Sequence, residues 1–206
     1  MIKPKHNFFI EKFFELYTKH QIKKNFKDIK IIGEHTLRDL PILLLSNHIS
    51  WWDGFWAKYL NMKIFKYRFY FLMLEEQLKR YWYFRYTGGF SIKQNSKSII
   101  ESLDFIPELL RQSNNLVLFF PQGRIESLYN ENIVFRSGLK RILLNLKNPI
   151  NIVFQANFIE YLNHKKPTLY IYFSENYIEK TSLLDLESLY NSFLKNSLML
   201  QKKLCI

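Results

Sequence analysis

Short apolar runs alternate with longer amphipathic stretches along most of the chain. The apolar runs predict strands at residues 29–32, 42–45, 69–74, 116–120, 150–154 and 169–173. Helical spacing of apolar residues predicts helices at residues 51–61, 75–86, 96–112, 137–148 and 183–200. Strands that are apolar on both faces and separated by helices indicate an α/β fold, with a mixed, mostly parallel sheet covered by helices.

The first 28 residues are unusually rich in lysine and predict an N-terminal amphipathic basic helix, ahead of one domain over residues 29–206. One stripe of this helix consists of five apolar residues: Phe9, Ile10, Phe13, Leu16 and Tyr17. The stripe could pack against the domain as in any surface helix. Alternatively, it could lie in a membrane interface, with phenylalanine among the acyl chains and lysine at the lipid phosphates.

Composition adds a strong positive charge to an aromatic surface. The net charge is +12 and the pI is near 9.6, and the chain contains 19 Phe, 13 Tyr and 4 Trp. Residues 63–85 repeat this basic and aromatic mixture, although the aromatic side chains there could also fill the core. Nucleic acid and an anionic membrane would both attract such a surface. The single cysteine, Cys205, excludes a disulfide framework and a Cys-rich zinc site.

Polar residues follow the predicted strand 42–45, where α/β folds gather ligand sites. His48 could act as a general base, and Asp53 could orient its ring if the chain bends between them. Asn47 is a further polar residue at this strand end. A purely structural interpretation is also open, because Ser50 and Asp53 have the spacing of a helix capping box. Capping alone leaves Asn47 and His48 without a role.

The segment that contains Asn47, His48 and Asp53 resembles a known motif. Asn47, His48 and Asp53 match N-H-x-x-x-x-D, the first block of the glycerolipid acyltransferase family, which includes the lysophosphatidic acid acyltransferases. The family's fold is the α/β arrangement predicted above. The resemblance implies that His48 takes a proton from a lipid hydroxyl and that Asp53 orients His48.

Two further blocks extend the resemblance over roughly residues 30–160. The second block, G-x-x-F-I-x-R, is matched at Gly88 and Ile92, and the third, F-P-E-G-T-R-S, is matched at Phe120, Pro121 and Gly123. The residues that the resemblance and their neighbourhood assign to substrate binding are Asn47, Gly88, Gly89, Lys93, Phe120, Pro121, Gln122, Gly123 and Arg124.

The implied reaction moves a fatty acyl group from a thioester to a hydroxyl of a glycerolipid or lysophospholipid. The donor would be acyl-CoA or acyl carrier protein as co-substrate, and neither a cofactor nor a metal is expected. The chain departs from the family at Gln122, where glutamate is usual, and at Ile125 and Gln94, where arginine is usual. Because these arginines are the expected phosphate ligands, an acceptor without phosphate is the alternative: a glycolipid, a glycosylated pigment or another lipid alcohol.

The expected location follows from the basic and aromatic segments. We expect a peripheral or monotopic protein on the cytoplasmic face of the cell membrane, with residues 3–30 and 63–85 toward an anionic lipid surface. A nucleic-acid-binding protein is the alternative outside enzymes, but no RRM, KH or helix-turn-helix signature is present. A catalytically silent membrane protein with the same fold would have no need of His48 and Asp53.

Overall fold

Strands and helices alternate in the computed structural model, which describes residues 1–36, 39–93, 98–177 and 186–204. In chain order the elements are α1 (Phe8–Asn25), β1 (Asp28–Ile32), β2 (Ile42–Ser46), α2 (Asp53–Leu60), β3 (Arg68–Leu74), α3 (Glu75–Arg80), β4 (Gly89–Ile92), α4 (Ser98–Leu109), β5 (Asn115–Phe119), α5 (Ser137–Leu144), β6 (Asn151–Glu160), β7 (Thr168–Tyr177) and α6 (Leu186–Leu204). The predicted α/β class is confirmed.

Within the described residues, seven strands form one sheet in the order β1-β7-β6-β2-β5-β3-β4. Every pair is parallel except β6 and β7, which follow each other along the chain and pair antiparallel. The parallel pairs are joined through helices, as parallel crossovers require, whereas β6 and β7 need only a short loop. The carboxyl ends of β2 and β5 are therefore neighbours at one edge of the sheet.

Helices cover both faces of the sheet, because alternate strand residues point to opposite sides. Ile42 and Leu44 of β2 belong to a core cluster with Trp56 of α2. Leu43 and Leu45 belong to a second cluster with residues of α4, α5 and α6. All four of these strand residues are fully buried. This two-sided burial explains why β2 is apolar throughout instead of alternating.

Helix α1 packs on the domain, but the apolar stripe predicted for it is divided. Asn7 caps the helix by accepting hydrogen bonds from the N–H groups of Phe9 and Ile10. Thr18 and Ile22 of this helix are buried against the domain. By contrast, Phe9 is 79% exposed and Phe13 is 60% exposed. Apolar residues occur on both sides of α1, so one side anchors the helix and the other faces outward.

The helix predicted over residues 75–86 breaks in the middle. Helix α3 ends at Arg80, and a 3₁₀ turn follows over Trp82–Thr87. Gly88 ends this turn with φ +100, and a Cβ atom there would lie 1.9 Å from the carbonyl oxygen of Phe69. Only glycine permits both this backbone conformation and this close approach of β4 to β3.

Candidate active site

His48 and Asp53 meet at the carboxyl end of β2. His48 lies in the loop after the strand, and Asp53 is the first residue of α2. The loop bends, so the His48 Nδ1 atom lies 2.8 Å from the Asp53 Oδ2 atom. The five-residue spacing, which does not fit one face of a regular helix, therefore places the two side chains in hydrogen-bonding contact.

Asp53 is completely buried and holds the whole loop. Its Oδ2 atom accepts hydrogen bonds from the backbone N–H groups of Ile49, at 2.7 Å, and Ser50, at 2.8 Å, in addition to the His48 ring. Burial raises the pKa of the Asp53 carboxyl above its ordinary value, although these hydrogen bonds oppose the rise. The Ser50 N–H bonds Asp53 as a capping box requires, but α2 begins at Asp53 and the preceding residue, Trp52, provides no side-chain cap. The same carboxylate also bonds the His48 ring, so one carboxylate oxygen serves both contacts.

The His48 ring has one side chain on its face and one nitrogen unused. The Phe120 ring stacks on it with a centroid distance of 4.0 Å and an interplanar angle of 11°. Because Asp53 is an acceptor at Nδ1, the neutral ring carries its proton there and Nε2 becomes the basic nitrogen. Nε2 makes no hydrogen bond within the part of the chain that the structure describes, and the side chain is 22% exposed.

The turn after β5 lies directly against this loop, because β5 pairs with β2. The Gly123 N–H donates to the Phe120 carbonyl at 3.1 Å, and Gly123 has φ +67. Gln122 is 2% exposed, and its Oε1 atom accepts a hydrogen bond from the His48 backbone N–H at 2.6 Å. Pro121, within the turn, is buried. The turn therefore helps to hold the backbone of His48.

Arg124 makes no hydrogen bond to His48 or Gln122 within the described residues and pairs with Glu126 instead. Its side chain is 67% exposed, and its Nε atom donates to the Glu126 carboxylate at 2.8 Å. The cation that the sequence places beside the family's arginine position is therefore already paired with an acidic side chain. Ile125, at the position of that arginine, is exposed and apolar.

Asn47 is directed at a neighbouring strand. Its Nδ2 atom donates to the Asn157 carbonyl at 3.3 Å, and its Oδ1 atom accepts from the Asn157 N–H at 3.0 Å. Asn47 is buried, and these two bonds join the end of β2 to β6. The structure thus gives Asn47 a role in fixing the loop beside His48, while its assignment to substrate binding stays a prediction.

The second predicted block lies apart from His48. Strand β4 is three positions from β2 in the sheet, roughly 14 Å at about 4.8 Å per strand. Gly89 begins this strand and Gly88 directly precedes it. Both are required by the packing, since a Cβ on Gly89 would also lie close to a backbone atom, 2.8 Å from the Phe84 carbonyl oxygen. Lys93 follows β4, at the same edge of the sheet as the loop that carries His48. Gln94 lies outside the described residues.

Two residues of this site have no counterpart among the predicted ones. Glu126 accepts hydrogen bonds from Gln122 and Arg124 and donates its backbone N–H to the His48 carbonyl. Arg136, just before α5, donates its Nε to the Gln122 carbonyl at 2.9 Å and its backbone N–H to the Pro121 carbonyl at 2.9 Å. Both residues lie in the irregular segment between β5 and α5. This segment has no periodic pattern of apolar residues that would place its side chains beside His48.

A comparison with protein families shows to which family the chain belongs. Residues 28–154, more than half of the chain, match the family described as Acyltransferase. The chain belongs to the acyltransferase family. This confirms the predicted family and the prediction that the protein is an acyl-transferring enzyme. A comparison with curated proteins finds no match.

Among solved structures, this chain is similar to the 1-acyl-sn-glycerophosphate (LPA) acyltransferase PlsC from Thermotoga maritima. The TM-score is 0.54 at 17% sequence identity, and the match covers 91% of this chain and 76% of the other. At this identity the likeness establishes the fold. Within the described residues, no group of three or more His, Cys, Asp or Glu side chains is arranged to hold a metal ion. The expectation that the reaction needs no cofactor stays a prediction.

Proposed function

We propose that this acyltransferase moves a fatty acyl group from acyl-CoA or acyl carrier protein to a hydroxyl of a glycerolipid or lysophospholipid. The His48 Nε2 atom accepts the hydroxyl proton as that oxygen attacks the thioester carbonyl. The tetrahedral intermediate then expels the thiolate, which takes the proton back from the imidazolium, so an ester and a free thiol are released. Asp53 keeps the ring in the required tautomer and stabilises its charged form.

One observation carries this proposal: the hydrogen bond between His48 and the buried, backbone-anchored Asp53. It leaves a single basic nitrogen directed away from the carboxylate and accessible to a substrate. The similar structure from Thermotoga maritima is named as an acyltransferase for 1-acyl-sn-glycerophosphate, and this supports a lipid acceptor.

An aromatic groove beside the loop that carries His48 supports a fatty acyl substrate. It measures about 560 Å³, and its walls come from α1, from the start of α2 and from the 3₁₀ turn: Phe9, Ile10, Phe13, Phe14, Tyr17, Trp51, Phe55, Trp82, Tyr83 and Phe84. Trp51 is three residues from His48, so the groove reaches the catalytic loop. We infer that an acyl chain lies in this groove, where it would be removed from water.

The outer rim of the groove supports attachment to a membrane surface. Phe8, Phe9, Phe13 and Leu16 of α1 are exposed together with Trp51 and Trp82, although other aromatic residues of 63–85, such as Phe65 and Phe69, fill the core. An exposed apolar patch of this kind marks an interaction site. Within the described residues, no helix combines the length and apolar character needed to cross a bilayer. The proposed attachment is peripheral, on the cytoplasmic face, with lysines of α1 at the lipid phosphates.

A second acceptor class is favoured by the pairing of Arg124. Because its guanidinium already bonds the Glu126 carboxylate, a phosphate would have to compete with that carboxylate. Hydroxyl groups of a sugar or another neutral alcohol would face no such competition. Acyl transfer to a non-phosphate lipid alcohol is therefore the alternative acceptor reaction.

The proposed chemistry is tested by His48→Ala in the purified protein, supplied with acyl-CoA or acyl carrier protein donors and a lysolipid. Loss of the general base should reduce turnover by roughly 10²–10⁴-fold. His20→Ala is the matched control, because His20 lies exposed on α1. A folded His48→Ala protein with undiminished turnover would refute the mechanism.

A further inference from the structure

The backbone of His48 is held on both sides by the loop that follows β5. Its N–H donates to the Gln122 Oε1 atom at 2.6 Å, and its carbonyl accepts from the Glu126 N–H at 2.8 Å. Together with the Asp53 contact to the ring, these bonds fix both the main chain and the side chain of His48. Residues 122–126 are therefore coupled to the position of the catalytic nitrogen.

The Glu126 carboxylate determines which way the Gln122 amide faces. An amide can present either its oxygen or its NH₂ group to a neighbour, and the His48 N–H requires the oxygen. The Gln122 Nε2 atom then needs an acceptor, and it donates to the Glu126 Oε2 atom at 2.9 Å. Since Gln122 is almost completely buried, an amide nitrogen without an acceptor would be costly there.

Glu126 is suited to this role because it is an ionised, acceptor-only group. The hydrogen bond from Gln122, and next the one from Arg124, holds the pKa of the Glu126 carboxyl below its ordinary value. The second carboxylate oxygen, Oε1, accepts from the Arg124 Nε atom at 2.8 Å. Arg124 therefore keeps the carboxylate directed at Gln122, and the reverse orientation of the Gln122 amide would place its oxygen against a negative charge.

We propose that Glu126 is a positioning residue for the acyl transfer, acting on His48 through the Gln122 amide. The proposal rests on the function proposed above, in which His48 is the general base. It assigns a role to Arg124 as well, as the partner that orients Glu126. The essential feature is the polarity of the pair: an amide at 122 and a carboxylate at 126.

The proposal predicts a specific pattern when this polarity is changed. Gln122→Glu would place two carboxylates in contact without a proton between them, and repulsion would raise the pKa of one. We expect kcat to fall roughly tenfold or more at neutral pH, as for a disrupted hydrogen-bond network. The loss should shrink as the pH is lowered, because protonation of one carboxylate restores a donor.

The double variant Gln122→Glu/Glu126→Gln reverses the pair and should restore activity. The new carboxylate at 122 still accepts from the His48 N–H, and the new amide at 126 donates to it while offering its oxygen to Arg124. We expect turnover within about threefold of the wild-type value, well within the coupling found between contacting residues. Glu131→Gln is the control for loss of an acidic charge, because Glu131 is exposed and pairs only loosely with Lys202, at 3.7 Å.

Two measurements together test the proposal: kcat and KM against pH for the four proteins, and hydrogen exchange of the His48 backbone amide. Protection of this amide should fall in Gln122→Glu and recover in the double variant. If Gln122→Glu matches the wild type in both measurements, or if the double variant is no better than Gln122→Glu, the proposal is wrong. Because amide exchange needs no substrate, a failure of the proposed function, seen as an inactive wild type, remains distinguishable from a failure of the positioning role.

Discussion

At the scale of single residues, the buried carboxylate of Asp53 links catalysis to stability. Its pKa is raised by burial, so ionising it destabilises the folded protein. This penalty is fully present at pH values above the raised pKa and disappears as the pH falls from there to the ordinary value. Asp53→Asn should lose activity by roughly 10⁴-fold, as in other His–Asp pairs, since the imidazole tautomer is no longer fixed.

The same substitution should leave the melting temperature at neutral pH equal to or above that of the wild type. The difference should vanish in acid, where the wild-type carboxyl is protonated as well. Asp104→Asn is the control with the opposite sign, because hydrogen bonds from Arg141 hold the pKa of Asp104 low. It should lower the melting temperature and leave turnover unchanged. An Asp53→Asn protein that melts well below the wild type would contradict this account.

The pairing of Arg124 with Glu126 gives a second prediction at this scale. If Arg124 serves mainly to orient Glu126, a neutral lipid alcohol or glycolipid should be acylated at least as well as lysophosphatidic acid. Arg124→Ala should then slow the enzyme with both acceptors to a similar extent. Initial rates with both acceptors are measured in the wild type and in Arg124→Ala. Lys140→Ala is the control for loss of a basic charge, because Lys140 is exposed on α5. A strong preference for lysophosphatidic acid that Arg124→Ala abolishes would show that Arg124 binds the phosphate.

At the scale of secondary structure, the strands could be predicted well because their residues are buried on both faces. β2 and β5 are buried throughout, and a short, continuous apolar run is typical of a parallel strand that helices cover on both sides. The region after α3 was predicted wrongly, because Trp82–Thr87 continues the helical spacing of apolar residues but forms a 3₁₀ turn. Part of the reason lies far away in sequence: the N–H groups of Lys5 and Asn7 donate to the carbonyls of Arg85 and Tyr86.

Helix α1 carries exposed apolar residues whose contact with a membrane can be tested. Phe8 and Leu16 are exposed on it and do not line the aromatic groove, so they can be changed without altering the proposed acyl site. Phe8→Ser/Leu16→Ser should weaken sedimentation with anionic vesicles several-fold, because less apolar area enters the interface. Leu200→Ser, an exposed residue of α6, should leave sedimentation unchanged. Equal vesicle binding by all three proteins would exclude α1 as the membrane contact.

At the scale of the whole molecule, the contact between His48 and Asp53 could be predicted from the sequence because only five positions separate the loop after β2 from the start of α2. The remainder of the site was less accessible, since Glu126 and Arg136 reach it through irregular chain. Their contacts with Gln122 depend on the pairing of β5 with β2, which brings the two strand ends together. The spacing of residues within either segment does not indicate that these side chains meet.

The net charge of +12 leads to a prediction about the intact protein. Each Lys or Arg near an anionic surface contributes about 1 kcal/mol to binding, and salt screens this attraction over ~10 Å at 0.1 M. Apolar contacts are not screened in this way, and the exposed aromatic rim of the groove would supply them. Sedimentation with anionic vesicles should therefore weaken as salt rises and then level off above zero, whereas binding to neutral vesicles should be weak and nearly independent of salt. An oligonucleotide added at the same total negative charge as the vesicles serves as the competitor. If it displaces the protein completely from the vesicles at matched salt, charge alone drives the association and the exposed aromatic residues contribute nothing. Retention on the vesicles at high salt, together with loss of this retained fraction in Phe8→Ser/Leu16→Ser, is the outcome we expect from a surface that combines lysine with exposed phenylalanine.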